Sequence, residues 1–307
     1  MSNAASTTLR KAALPYLALG AGILALGFTA MFVRWADAPG PVTGFYRLFF
    51  STLILTPIFA RRCLRGCTVR RTNIIFPVLG GLFTAGDLTL WNSSLDYTTA
   101  ANATLLGNTA PLWVALVAWL IFRERLGKDF WLGLLLTLSG AALIMGGDFL
   151  LHPRLGIGDL MASGAGFFYA AYMLSTQRGR EHLDPISYIW LVGVSASLGL
   201  LIVNLALGNP LSGYTTQTWL VFCGTALVSQ IIGYMAVSYA LGHLPASVVS
   251  PTMIGQPIVT AILAIPLLGE VPRLTQLIGG IIALAGIYFV HQSYNSKIRS
   301  ISRKKGA

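Results

Sequence analysis

Charge is what this sequence lacks most. Only 10% of its 307 residues are charged, and just 10 of them are acidic, where a soluble domain carries roughly 25%. So few charges cannot cover a water-facing surface. Cysteine and histidine are scarce as well. Cys63 and Cys67 lie in a basic stretch and Cys223 in an apolar run, which gives no four-ligand metal set; all three read as free thiols. His152, His182, His243 and His291 are assigned to loops or helix ends and belong to no HExxH pattern, and no GxSxG elbow occurs. Without a nucleophile beside a base, or a metal cluster, nothing marks a catalytic residue, a cofactor or an enzyme.

What the sequence has in abundance is apolar runs. Hydrophobic residues make up 55% of the chain, in stretches approaching the ~20 residues that a bilayer-crossing helix needs. They predict ten helices, near 12–33, 41–60, 74–95, 99–122, 130–147, 157–176, 186–207, 216–240, 246–268 and 274–293. Turn residues punctuate them, as in Ala38-Pro39-Gly40-Pro41, Gly127-Lys128-Asp129 and Asn209-Pro210. No connection is long enough for a soluble domain. Arg10 and Lys11 ahead of the first apolar run resemble a signal peptide, but a helix-length stretch followed by many like it reads as a first span.

The net charge of +11 reflects topology and not nucleic acid. If the N-terminus is inside, the inner segments hold 17 Lys and Arg and the outer segments only Arg34, Arg154 and Arg273. That asymmetry predicts a multi-pass membrane protein with both termini cytoplasmic; the membrane expected is the cell membrane, a bacterial inner membrane.

An internal repeat appears at a shift of 146 residues. Leu95, Ala100, Pro111, Ala115, Ala118, Glu124, Gly133, Leu138 and Gly140 recur as Leu241, Ala246, Pro257, Ala261, Ala264, Glu270, Gly279, Leu284 and Gly286. An odd number of spans per half turns the second half over. The expected fold is therefore an all-α integral membrane protein of ten transmembrane helices in two inverted-topology five-helix repeats, residues 12–147 and 157–294, with a basic tail at 295–307. Inverted repeats of this kind are a transporter architecture.

The segments LDYTTAANATLLGNTAPLWVALVAWLIFRERLGKDFWLGLLLTLSGAALI and LGHLPASVVSPTMIGQPIVTAILAIPLLGEVPRLTQLIGGIIALAGIYFV resemble the two EamA repeats of the drug/metabolite transporter superfamily. The resemblance covers nearly the whole chain. It implies ten helices and export of small metabolites, and the overall pattern is similar to the YddG-like amino-acid exporter branch.

Two charges stand out within spans, Arg47 and Asp87, where insertion alone costs about 2.5 to 3.5 kcal/mol each at a helix centre. At about 1.5 Å per residue both lie on the order of 10 Å below the outer face. Two readings are open: a site in which Asp87 meets an ammonium or a proton and Arg47 a carboxylate, or an ion pair joining spans two and three. Phe28 and Phe32 on span one, and Phe168 and Tyr172 on span six, are i, i+4 pairs that share a face and either line a cavity or pack. Polar stripes line other helix faces: Asp87, Trp91 and Ser94 on span three, and, at i, i+4, i+8 spacing, Gln230, Tyr234 and Ser238 on span eight and Thr252, Gln256 and Thr260 on span nine. They serve a cavity or interhelical hydrogen bonds. Pro111 and Pro257, at equivalent depths in spans four and nine, are hinges or static bends. Glu124 and Glu270 are assigned to helix termination and pairing with Arg123 or Arg125 and Arg273.

These residues outline a cavity between the halves bounded by spans one, three, six, eight and nine. The function expected is export of amino acids, aromatic ones among them, or of related small amphipathic metabolites, by alternating access. The partners are the substrate and the lipid bilayer, with coupling to a proton or another ion left open. Nucleotide-sugar or sugar-phosphate exchange would call for several embedded cations, and only Arg47 is present. Multidrug export is a further alternative.

Overall fold

The structure is a computed structural model and describes residues 2–65, 71–98, 100–145, 156–269 and 273–305. Cys67, Arg70, His152, Arg154 and Glu270 lie outside the described residues. Among the described residues every regular element is helical, as the absence of water in a bilayer core requires for a chain that cannot close a barrel.

The order is α1 (Ser2–Gly27), α2 (Thr29–Trp35), α3 (Gly40–Leu64), a 3-10 turn (Arg71–Asn73), α4 (Ile75–Ser94), α5 (Ala100–Gly107), α6 (Ala110–Leu120), α7 (Lys128–Met145), α8 (Ile157–Gly179), α9 (Pro185–Ala206), α10 (Thr216–Thr225), a π-helical segment (Ala226–Tyr234), α11 (Met235–Leu241), α12 (Ala246–Thr252), α13 (Gly255–Leu268) and α14 (Leu274–Lys305). Among the described residues six helical stretches are long and apolar enough to cross a membrane: Gly40–Leu64, Asn102–Leu120, Pro185–Ala206, Thr216–Leu241, Ala246–Leu267 and Leu274–Lys297.

The helix ends follow local chemistry. Asp184 caps α9 by accepting from the backbone N–H of Ile186 at 3.0 Å and of Ser187 at 3.3 Å, with Pro185 at the first helical position, where its missing N–H costs nothing. Thr215 caps α10. Gly269 closes α13 in the left-handed region at φ 67°, the usual glycine role at a helix C-terminus.

Three predicted spans are interrupted. Span one breaks at Phe28, directly after Gly27. Span four breaks at Asn108–Thr109 and span nine at Met253–Ile254. Pro111 and Pro257 consequently stand in the first turn of α6 and α13 and not inside a continuous helix, so neither removes an interior hydrogen bond. The Thr252, Gln256, Thr260 stripe crosses the second break and is not one continuous face. His291 is another correction. It lies within α14, which runs on to Lys305 because no glycine or proline intervenes after Gly286.

The helices form two compact units, Met1–Asn92 with Ala171–Pro245, and Ser93–Ala170 with Ala246–Ala307. The first is centred on α3 against α9. Trp190 donates from Nε1 to Thr56 Oγ1 at 3.0 Å and stacks on Phe59 at 4.0 Å, and Asn204 Nδ2 donates to the Pro41 carbonyl at 3.0 Å. A packed core of Val42, Phe45, Tyr46, Leu48, Ala85, Ala196, Leu200 and Phe222 fills this unit.

The second unit is centred on α7 against α14. A Cβ on Gly133 would stand 2.8 Å from the Gly286 carbonyl oxygen, and one on Gly279 would stand 2.7 Å from the Gly140 carbonyl oxygen. Backbones this close require glycine on both helices. Large apolar side chains such as Leu53, Leu135, Ile202, Leu220 and Ile281 stay exposed, a surface that suits lipid.

Candidate functional site

The first unit holds eight of the predicted residues: Phe28, Phe32, Arg47, Asp87, Trp91, Tyr172, Gln230 and Tyr234. Phe168, Gln256, Pro111 and Pro257 belong to the second.

Arg47 is the anchor. It sits in the buried half of α3, is 7% exposed, and its Nε is buried without a hydrogen-bond partner. Its guanidinium carbon lies 5.6 Å from the centroid of the Tyr234 ring, within cation–π range. Asp87, half-buried on α4, acts on Arg47 electrostatically. Among the described residues the contact ion pairs are Arg62–Asp184 and Arg178–Glu181, both solvent-accessible; Arg47 and Asp87 interact across a gap.

Tyr234 ends the π-helical segment, and Gln230 lies one turn before it. Gln230 is 3% exposed, and its Oε1 is buried without a hydrogen-bond partner. Tyr172 on α8 is buried and meets the Tyr234 ring edge-on, with centroids 5.9 Å apart and an interplanar angle of 77°. The structure therefore joins Arg47, Tyr234 and Tyr172 through ring contacts, with Asp87 in electrostatic reach and Gln230 one turn from Tyr234. Arg47 and Asp87 come from the first sequence half, Tyr172, Gln230 and Tyr234 from the second.

Other predicted residues go elsewhere. Phe32 meets Trp35 edge-on at 5.8 Å and faces Gly224, where a Cβ would stand 2.8 Å from its ring. Phe28 marks the break between α1 and α2 and is half-buried, as is Trp91, one turn beyond Asp87 on α4. Phe168 touches Phe167 at 6.1 Å, and Gln256 is half-buried in the first turn of α13. Glu124 accepts from Ser247 Oγ at 2.9 Å and not from Arg123 or Arg125, because the left-handed backbone of Arg123, φ 53°, turns the chain at that point.

Two residues of this region escaped the sequence reading. Tyr188 on α9 is fully buried. A Cβ on Gly80 would stand 2.8 Å from its hydroxyl and 3.8 Å from the Tyr172 ring, so the absence of a side chain there lets α4 approach both tyrosines. No periodicity in span seven marks Tyr188; its neighbours lie on other helices. Arg180, counted only as a loop cation, donates from Nε to the Ser238 carbonyl at 3.0 Å and from Nη1 to the Leu183 carbonyl. Burial pulls its pKa down, opposed by Asp184, Tyr239 and Tyr188.

The arrangement holds an unmatched buried donor and an unmatched buried acceptor among aromatic rings. Leaving either group without a partner costs about 1–3 kcal/mol. A small ligand with complementary polar groups and an apolar body would be favoured there.

Comparison with known proteins adds to this geometry. The sequence profile of the EamA-like transporter family matches residues 13–146 and 156–292. The chain is 26% identical over 198 residues to the uncharacterized transporter YdfC of Bacillus subtilis, covering 64% of each protein. It is 29% identical to an uncharacterized transporter of Archaeoglobus fulgidus, covering 64% of this chain and 68% of that one. A third relative, an uncharacterized transporter of Methanothermobacter thermautotrophicus, is 30% identical across 66% of this chain and 60% of its own. The match thus spans about two thirds of the length of each relative. One solved crystal structure shares the fold with a TM-score of 0.74 at 16% identity, over 90% of this chain and 95% of that chain.

Proposed function

The chain belongs to the EamA-like transporter family, and we propose that it is a ten-span membrane transporter that exports amino acids, or related small amphipathic metabolites, from the cytoplasm by alternating access. In this reading it resides in a bacterial inner membrane with both termini cytoplasmic, and its two halves are inverted repeats. The breaks in spans four and nine, each just ahead of Pro111 or its repeat partner Pro257, support the repeat. So does the pairing of α7 with α14, whose glycines 133 and 140 have 279 and 286 as their counterparts.

The observation that carries the reading is Arg47: a guanidinium 7% exposed, with a partnerless buried Nε, over the face of Tyr234 and within electrostatic reach of Asp87. A substrate carboxylate satisfies Arg47, and its ammonium group is matched by Asp87 and by the buried amide oxygen of Gln230. Tyr172, Tyr188 and Tyr234 supply apolar contact for the side chain, which suits aromatic amino acids. Asp87 is also the group in this site able to take up a coupling proton.

Flux of a panel of radiolabelled amino acids through proteoliposomes tests the proposal, with and without an imposed pH gradient. Tyr172→Ala and Gln230→Ala are expected to reorder the substrates, and Leu135→Ala, on an exposed face, to leave the order unchanged. Absence of flux for every amino acid in the panel, or an unchanged ranking in both site variants, would sink it.

A further inference from the structure

The chain from Thr216 to Leu241 is helical without interruption, yet its middle is not α-helical: residues Ala226–Tyr234 form a π-helix. Closing i→i+5 bonds is unfavourable enough that π turns are rare, and they occur often at functional sites. This one contains both Gln230 and Tyr234.

Neighbouring elements hold the segment in place. At the head of α10, Thr215 Oγ1 accepts from the Thr218 N–H at 3.3 Å. In α11, the Ser238 carbonyl accepts from Arg180 Nε at 3.0 Å. Along its flank runs α1, admitted by glycines: a Cβ on Gly22 would stand 2.9 Å from Val237 and 3.1 Å from the Gly233 carbonyl oxygen, and a Cβ on Gly233 would stand 2.9 Å from Leu26. Just past α1, Thr29 Oγ1 donates to Ser229 Oγ at 2.9 Å. A π turn takes in about one residue more than an α turn. Adding or removing a residue in a helix rotates everything beyond it by about 100°.

We infer that the π-helical segment Ala226–Tyr234 is the positioning element of the site: it sets the rotation that carries the Tyr234 ring to Arg47 while Gln230 stays on a buried face. What the site binds rests on the transporter reading; the contact that the segment positions does not.

Deleting Leu227, which is exposed and outside the site, shortens the segment by one residue and removes no functional side chain. In the otherwise unaltered protein, Arg47→Gln and Tyr234→Leu are expected to shift the melting temperature non-additively, because the two side chains touch. In the Leu227 deletion the same two substitutions become additive, and the half-saturating concentration of L-phenylalanine in proteoliposomes rises about tenfold or more. An additive pair in the parent, or a non-additive pair in the deletion, overturns the inference whatever the protein does with L-phenylalanine. A parent that carries no L-phenylalanine counts instead against the transport reading, and the melting cycle still decides this one. If the deletion does not fold, hydrogen exchange on the full-length protein decides. Arg47→Gln should then speed exchange of the amides from Ser229 to Tyr234 and leave α10 unchanged; unaltered exchange in that stretch overturns the inference.

Discussion

Arg47 is a cation in a place where water does not solvate it, and the physical question is what balances it. Tyr234 offers the face of a ring and Asp87 a charge across a gap. Neither satisfies the Nε–H. Removing one member of a buried charge pair leaves the other uncompensated, at about 3–5 kcal/mol. Asp87 is only half-buried, so Arg47→Gln and Asp87→Asn should each destabilise the protein by up to about 3 kcal/mol, at the lower end of that range. The double variant should recover much of the melting temperature and none of the flux. A double variant no more stable than either single one would show that the two groups are energetically independent. These two residues were legible in the sequence because a charge inside an apolar run is conspicuous. Gln230 and Tyr234 were legible through their spacing. Tyr188 was not, because a tyrosine in an apolar helix gives no signal until Gly80, remote in sequence, and Gly179, at the end of the preceding helix, are seen to make room for it.

At the scale of elements, the helices were largely predictable from apolar length and turn residues, and α3, α9 and α14 begin within a residue of their expected starts. The irregularities were not. The π-helical segment has the composition of an ordinary apolar helix, and its departure from α geometry belongs with its contacts to α1 and Arg180. The breaks near Pro111 and Pro257 fall two to four residues before the prolines, because a proline is tolerated in the first turn of a helix and the interruption precedes it. The α7–α14 pair offers the sharpest test of packing. A Cβ on Gly140 would overlap the backbone nitrogen of Ala283, whereas one on Gly280, a residue of α14, would meet nothing within 4 Å. Gly140→Ala should therefore cost about 1–3 kcal/mol by overpacking, and Gly280→Ala should be neutral or slightly stabilising. Thermal melting of the two purified variants separates them; equal melting temperatures would mean that the close approach carries no energetic weight.

For the whole molecule, the distribution of basic residues makes the strongest demand. Seventeen Lys and Arg on one set of connections against three on the other are the basis on which we propose that both termini are cytoplasmic, under the charge rule for membrane insertion. A cysteine introduced by Ser300→Cys should accordingly stay unmodified by an impermeant thiol reagent in intact cells and react once the membrane is opened. Rapid labelling of intact cells would reverse the topology. The all-helical membrane character was readable at this scale because it resides in composition and in the length of the apolar runs. The grouping of α3, α4 and the later helices α9 to α11 in one compact unit was not, since it joins segments from both repeats.

The glycine contact between α7 and α14 reads the same from either helix: Gly133 meets Gly286, Gly140 meets Gly279, and each pair exchanges when the repeats exchange. On the proposed inverted-repeat reading, a single five-helix unit bearing this surface would have to find a second copy inserted the opposite way round, and the yield of the complex would follow mass action. Joining both copies in one chain makes the encounter intramolecular, so the pairing of α7 with α14 is independent of expression level. It also frees the two copies to diverge: Arg47 and Asp87 are kept by one, Gln230 and Tyr234 by the other, and each chain still receives one of each.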